Sequence, residues 1–145
     1  MSQWRAQAIR LFPENRRGSF AFQRRNMTIY QIFFELLYEF DEKIASGDFE
    51  WISRVFEYVE WCHRQKKRAP DIWNAAATAF LEHMADEDER AVLTPRFVKP
   101  PIFKDMWQEF MKRREREGRG KAIELLKDYN SHHGTQFTMQ LSLFD

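Results

Sequence analysis

Four histidines (His63, His83, His132 and His133) and one cysteine (Cys62) are the imidazole and thiol side chains of this 145-residue chain, the groups first considered for metal binding or nucleophilic chemistry. A zinc site needs three or four such ligands converging at about 2.0–2.3 Å. Cys62 and His63 are adjacent, and adjacent residues of a helix point about a hundred degrees apart. His132-His133 fall in a polar stretch read as a turn. Neither pair supplies a convergent set, so no metal and no other cofactor is expected. Cys62 also falls on an apolar stripe, where a free cysteine behaves as a small hydrophobe. Carboxylates are plentiful, among them Glu35, Glu39, Asp41, Glu57 and Glu60. Glu35 and Glu39 share a helix face, whereas acid–base pairs work from opposed positions with separated pKa values. A solvated face is the expectation. There is no Gly-rich phosphate loop and no Gly-x-Ser-x-Gly elbow. The chain is expected to be non-enzymatic.

Two basic stretches could meet phosphates. Residues 1–26 hold Arg5, Arg10, Arg16, Arg17, Arg24 and Arg25 against the single acid Glu14. Of these, Arg16, Arg17, Arg24 and Arg25 are the candidates for a secondary, salt-dependent contact with DNA. Lys112, Arg113, Arg114, Arg116, Arg119 and Lys121 form the second stretch, interleaved with Glu115 and Glu117. Its mixed charge reads as a solvated helix end. Over the whole chain 23 Lys and Arg balance 22 Asp and Glu, a formal net charge of +1. That balance argues against a surface devoted to nucleic acid.

The C-terminal residues carry a different chemistry. Gln140, Leu141, Ser142, Leu143 and Phe144 follow a polar linker that starts near Ser131. An apolar group on such a linker either folds back or is offered to a partner's pocket. Gln140 brings amide donors and an acceptor that fix register. Ser142 is small and hydrogen-bonding, and Leu141 covers apolar surface. Leu143 and Phe144 are adjacent apolar anchors of the kind that dominate binding energy. These five residues resemble the peptide motif by which bacterial proteins bind the DNA sliding clamp, Gln-Leu-(Ser or Asp)-Leu-Phe, at every position. A match by chance in a chain of this length has a probability on the order of one in several thousand. The resemblance implies that the polymerase β sliding clamp is the partner. It also implies that Leu143 and Phe144 enter the clamp's hydrophobic pocket and that Gln140 takes its polar end.

The elements that must carry this tail are helices. Only five Gly and five Pro punctuate the chain, and the apolar period is helical from Thr28 onward. Ile29, Ile32, Phe33, Leu36, Leu37 and Phe40 form one stripe, with Thr28 as N-cap. Ser46-Gly47-Asp48 turns into a second helix bearing Ile52, Val55, Phe56, Val59 and Cys62. Asp71 is the expected N-cap of a third, with Ile72, Ala76, Phe80 and Met84 inward. Thr94–Pro101 is expected to be extended because of its three prolines. A fourth helix carries Phe103, Met106, Trp107, Phe110 and Met111 up to Gly118. A short fifth carries Ala122, Ile123, Leu125, Leu126 and Tyr129. The expected architecture is thus all-α, with about five main helices in an antiparallel bundle. It comprises a basic arm at 1–26 (in which residues 3–12 can form one helix), a helical domain at 27–130 and a flexible tail at 131–145.

Remaining composition narrows the setting. One cysteine excludes an internal disulfide framework and suits a reducing compartment. No apolar run approaches the roughly 18 residues of a membrane span, and no secretion signal is read at the N-terminus. A cytoplasmic protein with no membrane contact is expected. The body itself, through Gly47-Asp48-Phe49 with Trp51 and through Phe80-Leu81-Glu82, resembles small all-helical bacterial proteins, some of them immunity-like. That resemblance implies an alternative: an interaction module of the immunity type that recognises a partner through its helical surface.

Overall fold

A computed structural model describes residues 2–15, 22, 24 and 26–139. Among them the structure is helical, without strands: α1 Gln3–Leu11, α2 Ile29–Ser46, α3 Phe49–Arg64, α4 Pro70–Ala79, a 3₁₀-helix Leu81–Ala85, α5 Asp88–Ala91, α6 Thr94–Phe97, α7 Pro100–Glu117 and α8 Arg119–His133. No described helix is long and apolar enough to cross a membrane. The all-α expectation holds. The expected five main helices correspond to α2, α3, α4, α7 and α8, and the count of five is too low. Two compact units divide the chain, Met1–Phe80 and Leu81–Asp145.

In the first unit, α2 begins where its cap residues dictate. Thr28 Oγ1 accepts from the Gln31 N–H, and Gln31 Oε1 accepts from the Thr28 N–H, which satisfies two donors a helix start leaves open. Gly47 closes α2 at φ +71°, a conformation that costs a side-chain-bearing residue, and Asp48 Oδ1 then caps α3 by accepting from the Trp51 N–H. The expected stripes of this unit are buried apart from half-buried Leu37 and Ile72, and in the second unit Trp107 is half-buried and Ile123 exposed. Phe33 stacks on Tyr58 at 5.2 Å, and Phe40 meets Phe80 edge-on at 5.4 Å. Asp71 does not cap α4. The helix starts at Pro70 with Ala69 as N-cap, two residues before the start an Asp71 cap requires, and the missing N–H of proline is harmless in a first turn.

Part of the expected basic arm belongs to this core. Ala8, Leu11, Phe12 and Phe22 are buried. Tyr58 Oη donates to the Trp4 carbonyl at 2.8 Å, and Arg54 donates to the Leu11 carbonyl at 2.6 Å and to Glu14 at 2.9 Å. Arg5 spends its guanidinium on the carbonyls of Phe22, Arg24 and Met27, tying the segment after α1 back to α1.

The second unit departs further from expectation. The third helix, expected to carry its stripe to Met84, ends at Ala79, and Leu81–Ala85 continues as 3₁₀. Thr94–Pro101 is not extended throughout: Pro95 and Pro100 each sit in the first turn of a helix, where proline fits, and Val98-Lys99 alone is extended between α6 and α7. α8 is longer than Ala122–Tyr129 and takes His132 and His133 into its last turn, and it ends at Gly134 with φ +65°. The tail therefore starts about one turn later than read. Phe103 stacks on Tyr129 at 3.9 Å to join α7 and α8, and Tyr129 Oη donates to the Val98 carbonyl at 2.6 Å.

Candidate functional site

The candidate clamp-binding residues Gln140, Leu141, Ser142, Leu143 and Phe144 lie outside the described residues, as do Arg16, Arg17 and Arg25. Arg24 is described and exposed, and its carbonyl accepts from Arg5. The structure gives the root from which the candidate peptide departs. Asn130, on the last turn of α8, brackets that root. Its Nδ2 donates to the Phe137 carbonyl at 2.8 Å. Its Oδ1 accepts from the Phe137 N–H at 3.0 Å and from Thr135 Oγ1 at 2.9 Å. The Phe137 ring sits among Phe103, Tyr129 and Trp107, with centroids 5.1, 5.9 and 6.0 Å away. Edge-on contacts of this kind add about 0.5–1.5 kcal/mol beyond area burial. The sequence makes Asn130 a helix stop and leaves Phe137 in an apolar end that either folds back or is offered to a partner; Phe137 itself folds back. The available signal was an amide seven residues before an aromatic across a glycine.

The second basic stretch is internally paired. Arg113 grips Asp86 through two bonds, Nη2 to Oδ2 at 2.6 Å and Nε to Oδ1 at 3.1 Å. His83 Nδ1 lies 3.0 Å from the same carboxylate. Burial raises the Asp86 pKa, yet the hydrogen bonds and charges of Arg113 and His83 outweigh it and hold the carboxyl below its ordinary value. Arg114 is buried, its side chain 6% exposed, and donates to the Ala85 carbonyl at 3.2 Å and to Asp88 at 2.8 Å. Lys121 adds contacts of 3.1 and 3.0 Å to the two Asp88 oxygens. Hydrogen bonds from Arg114 and Lys121 lower the Asp88 pKa. These cations are committed to Asp86 and Asp88 and were not legible as such, because their partners lie 26 to 33 residues away. A cleft of about 280 Å³ opens beside Val92, Pro95 and Leu125, and its polar wall is the Asp88 cluster.

The chemical candidates fall into place around this. No group of His, Cys, Asp and Glu able to hold a metal occurs among the described residues. Cys62 is buried, and burial pushes its thiol far above the range in which a thiolate forms. Burial, then the neighbouring Glu39 charge, raises the Glu35 pKa. His133 Nε2 is 2.7 Å from the Pro95 carbonyl, which joins the end of α8 to α6.

Residues 6–115 match a family model described as a domain of unknown function, DUF7674, which takes in residues of both units and stops short of α8 and the tail. No curated protein and no solved structure matches the chain. With well over half its length inside that match, the chain belongs to the DUF7674 family.

Proposed function

We propose that this chain is a non-enzymatic adaptor or regulator that docks on the bacterial DNA sliding clamp through Gln140–Phe144, in replication or repair. The observation that carries the reading is the five-position match beyond the last described helix. Burying Leu143 and Phe144 in a pocket contributes roughly 3–6 kcal/mol before ordering costs. Micromolar affinity needs about 8 kcal/mol, so Gln140, Ser142 and the peptide backbone must supply the remainder. The test is direct binding of the full chain to purified clamp. Micromolar binding that is lost in a variant carrying Leu143→Ala and Phe144→Ala is the expected result. Absence of binding, or binding indifferent to the double change, overturns the reading.

A second reading rests on α2, where Tyr38 is 84% and Phe34 51% exposed, one turn apart on the helix. Two solvated aromatics on one face suit recognition of a partner by the helical body, as in an immunity-type module. Removal of residues 140–145 separates the two. A partner retained after that deletion, and lost with Phe34→Ala plus Tyr38→Ala, favours the body.

A further inference from the structure

We propose that Asn130 and Phe137 act as a latch that fixes the tail to α7 and α8, so that a docked clamp is held close against that face of the second unit. This inference rests on the clamp reading above and adds to it the geometry of docking. Gly134, with its left-handed backbone at φ +65°, provides the stop of α8. Asn130 and Phe137 do something further. All three side-chain hydrogen bonds of Asn130 go to Thr135 and Phe137, and three aromatic rings of α7 and α8 receive the Phe137 side chain. From Phe137 the chain needs three residues to reach Gln140, a span of at most about 10 Å. Without the latch the leash would start at Gly134 and run six residues, at most about 20 Å. The shorter leash keeps Gln140, the first residue of the docking peptide, within about 10 Å of Phe137 and so near Trp107 of α7. The chain would then cover the clamp surface beside the pocket rather than trail from it, as expected of a regulator that excludes competing clients.

The experiment is proximity crosslinking in the full chain. A benzophenone is attached through Lys104→Cys, an exposed position one turn before Trp107 on α7; Cys62 is buried and does not compete for the label. Effective concentration falls roughly as the −3/2 power of leash length, so doubling the leash lowers it about threefold and a fivefold lengthening about tenfold. Asn130→Ala plus Phe137→Ala is therefore expected to lower crosslinking to clamp about threefold. Insertion of about twelve Gly and Ser residues between Thr138 and Met139, which leaves the helices and the latch untouched, lowers it about tenfold. Dissociation constants for the clamp stay within about threefold in both, because the peptide itself is unchanged. Crosslinking that is equal in the wild type and in the Asn130→Ala plus Phe137→Ala variant, whatever the insertion does, with clamp binding intact and dependent on Leu143 and Phe144, overturns the latch alone. Failure of every form to bind clamp overturns the clamp reading and the latch with it.

Discussion

A guanidinium taken out of water depends on the hydrogen bonds it retains, and Arg114 has two, to the Ala85 carbonyl and to Asp88, while its Nε has no partner among the described residues. Removing it leaves a carbonyl unsatisfied inside the second unit, a loss of about 1–3 kcal/mol for a buried acceptor. Lys121 contacts the same Asp88 from solvent, being 47% exposed, and exposed ion pairs contribute about 0–1 kcal/mol. Arg114→Ala is expected to lower stability by about 2 kcal/mol, and Lys121→Ala by less than about 0.5 kcal/mol, read as shifts in the urea midpoint at constant slope. Equal shifts would show that Arg114 is not the buried member of the cluster. Single residues differ in how far the sequence declares them. Thr28 before an apolar stripe is a local signature, and Thr28 caps α2 as expected, with Gln31 completing the cap. Arg114 sits in a run of six cations whose sequence context is that of any solvated helix end. Only the folded chain brings it against an acid 26 residues away.

Elements became legible in proportion to their length. α2, α3 and α7 have 16 to 18 residues, four or more turns over which a 3.6-residue period repeats. α5 and α6 have four residues each, too few for any period. What holds the segment around α5 is non-local: Arg113 on Asp86, Arg114 and Lys121 on Asp88. Both carboxyls are held below their ordinary pKa, so the unfolded chain binds protons more readily than the folded one. The stability they contribute is complete above the unfolded value of about 3.9 and is lost as pH falls through it toward the folded values. Thermal unfolding is thus expected to be flat near neutrality and to drop below about pH 5. In Asp86→Asn the protein should be less stable at pH 7 and should lose less on acidification. A variant with the wild-type acid slope would place the protonation sites elsewhere. The bracket at Asn130 was illegible for a related reason: its geometry exists only once Gly134 has turned the chain back along α8.

At the scale of the whole molecule, charge and tail lead to salt responses of different size. The net charge of +1 gives no long-range attraction to a polyanion, and the N-terminal arginines are not all available. Arg5 is bound to three carbonyls, and Arg10 pairs with Gln7 and lies 3.8 Å from Glu57. If Arg16, Arg17, Arg24 and Arg25 all met phosphates, four contacts at about 0.9 each would weaken duplex binding by about a hundredfold between 50 and 200 mM salt. The proposed docking through Leu143 and Phe144 would be apolar and is expected to change by less than about threefold over the same range. Titrating the full chain into clamp loaded on DNA, and into clamp alone, at both salt concentrations separates the two contributions. The expected outcome is a nearly salt-independent affinity for free clamp and a modest gain on DNA that disappears at 200 mM. An affinity for free clamp that falls a hundredfold would mean that charge, and not the two apolar side chains at the end of the tail, brings this chain to its partner.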